Sequence, residues 1–166
     1  FTQINYLHRT YLTPHRIAKM YAGSVAQCPR CGHQRADFIH MVWACPVIAV
    51  AWQAVADIIS EVVEAPIVLS PESCLLGIRP ETKQSKYKNK LINLAFALFK
   101  RLIAMHWKSQ AAPKTVLWLK ILLKWVQAES DFMTDTLGRR ETNGDGTRVW
   151  DQYMCIIMAK NDDKPP

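Results

Sequence analysis

"QCPRCGHQRADFIHMVWACP", residues 27–46, places three cysteines and two histidines within twenty positions of a chain that has five of each. The spacing is Cys28-x2-Cys31-x8-His40-x4-Cys45. A CxxC pair lets two thiolates reach one ion from a tight turn, and Gly32 allows the backbone to fold back after it. A second pair then closes a tetrahedral site. The spacing therefore predicts structural Zn²⁺ on Cys28, Cys31, His40 and Cys45, with no coordination position open for water and hence no metal catalysis. His33 is the rival ligand, but it sits two residues from Cys31, and His40 is preferred. Asp37 to Ala44 reads as a short helix. On an α-helix, residues five apart are offset by ~140°, so His40 and Cys45 would not face one ion. Pro46 is expected to resolve this by biasing Cys45 out of helical geometry.

Outward from this cluster the chain reads as all-α. Thr13 and Pro14 form an N-cap and first helical position, with Gly23 and Ser24 as a stop. Residues 47–64 have helical apolar spacing, with Pro46 suited to the first turn. Pro66 and Ser70-Pro71 suggest a linker with a short buried turn near Leu75-Leu76. A long helix is expected over 82–111, with Leu91, Ala95, Leu98 and Leu102 as its apolar face, broken by Pro113. Residues 114–132 are apolar nearly all round, which implies a central helix or one covered by a partner. Trp118 and Trp125, seven apart, are expected on one packed or docking face. Residues 138–147 read as a loop and 147–159 as a last helix. Cys74 and Cys155 are expected as small buried hydrophobes. The organisation expected is a zinc-stapled, knuckle-like turn-helix module over 1–65, a linker over 66–81, a helical body of about four helices over 82–160, and a disordered tail over 161–166.

Charge is uneven. The net value is +7. Residues 1–46 carry five Lys/Arg against Asp37, residues 47–78 four acids and no base, and residues 79–125 eleven Lys/Arg against Glu81. Two basic blocks argue for a polyanionic partner, RNA and/or DNA. On a continuous helix Lys83, Lys90, Arg101 and Lys108 fall near one line with Lys86 beside it, a stripe suited to a phosphate backbone. Arg30 and Arg35 ride on the metal turn and are candidate contacts to phosphate or an unstacked base. No stretch of ~18 residues lacks charge, so no membrane span is expected. No signal peptide is seen, and the odd, clustered cysteines fit a reducing intracellular compartment, cytoplasm or nucleus. The chain starts at Phe1 and reads as a fragment of a longer polypeptide. No nucleophile–base set or phosphate loop is present, so no enzyme activity and no small-molecule substrate is expected.

"LHRTYLTPHRIAKMY" followed by "CPRCG…ADFIHMVWACP" resembles the zinc-binding reverse-transcriptase-associated module, the segment after the reverse transcriptase domain in LINE-type (non-LTR) retrotransposon polyproteins. The family pattern is CPxCG, about eight residues, His, four residues, CP. Cys28, Cys31, His40 and Cys45 match it, and Pro29, Gly32, Trp43, Pro46 and Trp52 fit. The resemblance covers roughly residues 5–55. It implies a C-terminal region that assists template RNA and target DNA binding in target-primed reverse transcription, with the reverse transcriptase domain upstream in cis. The polymerase aspartate pair is not matched: Asp162-Asp163 lies in a polar tail and reads as a solvated end. The competing expectation is a structural or protein-interaction module, in which zinc only stabilises the fold and the helical body docks on the polymerase domain.

Overall fold

Prolines and small polar caps set the helix starts. In the computed structural model, which describes residues 2–78, 85–137 and 145–162, the chain is all-α, with no strand among the described residues. The helices are α1 (Thr2–Leu7), α2 (Pro14–Met20), α3 (Pro46–Val63), α4 (Lys86–Met105), α5 (Thr115–Leu137) and α6 (Asp145–Asp162). Two single π-helical turns, His40–Ala44 and Glu72–Leu76, lie between them. Thr13 caps α2 as expected: its side chain accepts from the Arg16 amide at 3.1 Å, and Pro14 occupies the first turn, where a missing N–H costs nothing. Pro46 does the same for α3.

The core is built from α3, α4, α5 and α6. Leu91, Ala95, Leu98 and Leu102 are buried on α4, as the periodicity predicts, and Trp52 of α3 meets Phe96 and Phe99 edge-on with centroids at 5.7 and 4.7 Å. That edge-to-face geometry is the favoured one for aromatic pairs. Two buried polar tips are satisfied by carbonyls: the Trp118 indole N–H donates to Ala95 O at 3.0 Å, and the Tyr6 hydroxyl to Lys100 O at 3.0 Å. One buried cluster runs from Tyr6 and Cys28 through Val42 and Trp52 to Trp118 and Trp150, so the cysteine turn and the helical body share a core. Pro46–Val63 is the only helix among the described residues with the length and apolarity of a membrane span. It is one of the core helices, with Ile48, Trp52, Val55 and Ile59 buried and Gln53, Asp57 and Glu61 exposed.

Several expectations are corrected. The stretch expected as a linker is packed over its described part; the buried turn expected near Leu75-Leu76 is there, but with Leu75 buried and Leu76 exposed. Ser70 and Ser73 exchange hydrogen bonds (Ser73 N to Ser70 Oγ 3.1 Å, Ser70 N to Ser73 Oγ 3.3 Å), Cys74 and Leu75 are buried, and Gly77, at φ +76°, closes the turn. The buried Lys100 ammonium donates to Leu75 O at 2.8 Å and to the Gln3 side-chain oxygen, tying α1 and this turn to α4. Helix α4 stops at Met105, not near 111. The chain turns at His106, whose ring sits 2.9 Å from Leu102 O, and Trp107 leaves the helix to stack on Tyr11 (centroids 4.7 Å) and donate to Leu12 O at 3.0 Å. Asp145 and Gly146, expected as loop, and Asn161 and Asp162, expected in the tail, are helical in α6. Residues 79–84, 138–144 and 163–166 lie outside the described residues, and with them the expected start of α4 at 82, most of the 138–147 loop and the end of the tail. Cys74 is buried, but Cys155 is exposed. Trp118 is buried while Trp125 is 46% exposed. The buried face of α5 centres on Leu119, Leu122 and Val126, and the two indoles flank its edge.

Candidate metal centre

The turn that carries Cys28 and Cys31 is a backbone knuckle. Cys28 N donates to His33 O at 2.8 Å, Gly32 N to Cys28 O at 2.9 Å, and Ala36 N to Ala26 O at 2.9 Å. Gly32 has φ +73°, a left-handed conformation in which a Cβ would meet no neighbour but would strain the backbone. The second pair is positioned by Asp37, whose carboxylate accepts from the His40 amide at 3.0 Å and starts the following turn.

That turn is π-helical rather than α-helical: Cys45 N donates to His40 O at 2.9 Å, an i→i+5 bond. The wider ring brings residues five apart close to one face, so the expected ~140° offset of an α-turn does not arise. Pro46 contributes as anticipated, because Cys45 is extended (φ −64°, ψ 126°) and serves as the N-cap of α3. The ligand atoms of Cys28, Cys31, His40 and Cys45 consequently lie within 4.8 Å of one another and could hold a metal ion. Cys28 Sγ and Cys45 Sγ are 3.9 Å apart, and Cys31 Sγ and His40 Nε2 are 3.3 Å apart. A tetrahedron with metal–sulfur bonds of ~2.3 Å and metal–nitrogen bonds of ~2.05 Å has edges of about 3.8 and 3.5 Å, so the donors are spaced for one ion. Cys28, His40 and Cys45 are buried, and Cys31 is exposed at the solvent side. His33 is not in the set. Its exposed ring stacks on His40, with centroids 4.5 Å apart.

The surroundings tune these donors. Burial, with the neighbouring His33 and Arg30, holds the His40 imidazole below its ordinary range, which favours the neutral, ligating form. Burial opposes ionisation of Cys28, but the Arg30 and Cys31 amides and the other thiols outweigh it and lower its pKa. Burial pushes Cys45 up to about 11, with Cys31 and Cys28 adding to the shift, although the Ile48 and Val47 amides at the start of α3 work against it.

Arg30 has a bridging role within the fold that its place in the sequence does not reveal. Its guanidinium turns inward, donating to Met41 O at 2.9 Å, His106 O at 3.0 Å and Trp107 O at 3.4 Å. It thus bridges the knuckle, the π-turn and the end of α4, and it places a cation near the three thiols. Nothing in the spacing CPRC marks this arginine for burial. The end of α4 at His106 is what makes the carbonyls available. Arg35 remains at the surface, 3.6 Å from Asp37. The basic stripe is shorter than a continuous helix would give. Lys83 lies outside the described residues, Lys108 is past the end of α4, and Lys90 is paired with Glu129. Lys86, Arg101 and Lys108 are exposed. No family model matches the chain, and no solved structure matches it.

Proposed function

We propose that the chain is a zinc-stapled, nucleic-acid-binding accessory region of a non-LTR retrotransposon reverse transcriptase, binding rather than catalysing. The observation that carries this reading is the convergence of Cys28, Cys31, His40 and Cys45, the four residues of the family pattern, on one ion-sized position. Three soft thiolates and an imidazole are the donor set that suits Zn²⁺. Four protein ligands fill the tetrahedron, so the ion's role is structural: it fixes the knuckle against α3 through Cys45. RNA or DNA would be met by the exposed bases Arg35, Lys86, Arg101 and Lys108, with the polymerase domain in cis and a reducing intracellular setting that keeps the thiols free. Arg30 belongs to the scaffold in this reading.

A second reading has its own support. With Arg30 turned inward and Lys90 paired with Glu129, the basic surface is thinner than the composition suggests. This favours a structural module that docks on its polymerase domain. Two measurements separate them. Elemental analysis of the purified protein should give one zinc per chain, lost in Cys31→Ser and His40→Ala; no bound metal refutes the staple. Gel-shift titrations should show salt-sensitive binding of RNA or single-stranded DNA, weakened by joint neutralisation of Arg35, Lys86, Arg101 and Lys108. Binding unchanged by those substitutions removes the first reading's interface.

A further inference from the structure

Helix α5 presents two large aromatic rings to solvent. Trp125 is 46% and Phe132 64% exposed, and Trp125 is the most exposed of the six indoles. The residues are seven apart, which puts their rings ~20° from one line and ~10.5 Å apart along the axis. Rings of this size are normally buried for their large apolar area. On the same open side, ~100–140° round from Trp125, stand Lys124 and Lys120, both exposed, with Lys114 just before the helix. None of the three lysines makes an ion pair among the described residues, and no acid occurs between Lys108 and Glu129. Asp131 shares the lysine edge beyond Lys124, so the cationic rim runs toward the start of α5.

We infer that this face of α5 is a binding site for single-stranded nucleic acid, with Trp125 and Phe132 as base-stacking platforms and Lys114, Lys120 and Lys124 as phosphate contacts. The inference rests on the nucleic-acid reading above and places a second site away from the metal turn. Exposed rings along one rim and unpaired cations along the other are the two components that sequence-tolerant single-strand binding requires. A protein groove would instead engage a continuous apolar stripe. Here the stripe is broken between the rings, where residue 128 is alanine, and the exposed Leu117 and half-buried Ile121 lie before Trp125, toward the start of α5. Duplexes, whose bases are already stacked, should bind this face less well.

The test is titration of the full chain with a single-stranded oligothymidylate and with a duplex of equal length, read by indole emission and by anisotropy. Expected results are quenching by the single strand, binding weakened roughly tenfold or more in Trp125→Ala or Phe132→Ala, and largely retained in Trp125→Phe. Lys120→Ala and Lys124→Ala should each reduce the salt slope by about 0.7, and Asp131→Asn should tighten binding. These side chains are exposed, so a thermal melt close to wild type accompanies each variant. If both ring variants bind as wild type while neutralising Arg35 and Arg101 weakens binding, the α5 site is wrong and the nucleic-acid reading stands. If the wild type binds no oligonucleotide, both fall. If the ring variants leave oligonucleotide affinity intact but abolish binding to the polymerase domain, the face serves a protein and the inference is overturned.

Discussion

The segment 22–45 and the four-helix body are held together by different physics. In the body, Trp52, Phe99, Leu102, Trp118 and Leu122 are fully buried and interlock. In the knuckle segment the buried apolar residues are Cys28, Ala36, Met41, Val42 and Cys45, two of them ligands, while Val25 and Ile39 are exposed. A segment with so little apolar area cannot offset its chain entropy by burial alone. The backbone bonds of the turn and the Arg30 bridge order it, and an ion on the four proposed ligands would add to them. Where the core is thin, directed polar interactions take over from non-directed apolar ones.

If the four donors hold an ion as proposed, that contrast is broken most sharply by removing it. Chelation, or Cys31→Ser, puts at stake metal-linked free energy on the order of 10 kcal/mol. Amide hydrogen exchange across 26–45 should rise by orders of magnitude while α4 and α5 stay protected. Uniform exchange throughout would show that the two regions fold as one. The reciprocal experiment is Phe99→Ala, expected to cost about 3–5 kcal/mol in denaturant unfolding while leaving metal stoichiometry at one wherever the chain is folded. Arg30→Ala sits between the regions. Loss of three carbonyl contacts to a charged donor should cost about 2–3 kcal/mol, with Arg30→Lys recovering only part because a lysine cannot fork to two helix ends. An unchanged melting temperature in Arg30→Ala would show that the bridge is dispensable.

The smallest effect expected is a pH dependence confined to the body. Burial lowers the Lys100 pKa to about 8 from an ordinary value of 10.5. Below pH 8 the ammonium is charged in both states and the fold bears its full desolvation cost. Between pH 8 and about 10 the folded state sheds the proton first, so the unfolded state binds more protons and stability rises with pH. Across that window the melting temperature of the wild type should rise relative to that of Lys100→Met by the equivalent of about 1–2 kcal/mol. A constant difference would mean that Lys100 stays charged throughout.

Much of the fold was legible because its signals are local. Thr13-Pro14 and Pro46 mark helix starts through backbone chemistry that no distant contact alters, and the Leu91–Leu102 periodicity names a buried face directly. The four-residue cluster was legible for the same reason, since the spacing and Pro46 favour His40 over His33. What could not be read depends on meetings between distant segments. The stop of α4 at Met105 follows from Trp107 leaving the helix to reach Tyr11 and Leu12, some ninety-five residues away in sequence. Arg30's burial follows from the carbonyls at His106 and Trp107 that this stop exposes. The π-turn was hidden because a five-residue spacing was judged against α geometry. Trp125's exposure was hidden because periodicity groups it with Trp118, although the centre of the buried face is offset from both.

The π-turn also sets which spacers in the motif can change length. One hydrogen bond from Cys45 to His40 closes the ring that carries two donors, so a residue gained or lost between them rotates one donor away from the ion. The arc is exposed at Gln34 and Arg35, beyond the His33 carbonyl that the Cys28 amide holds, so an added residue there is expected to disturb the donors less. The four-residue spacer is therefore expected to tolerate less change in length than the Gln34–Arg35 part of the eight-residue one.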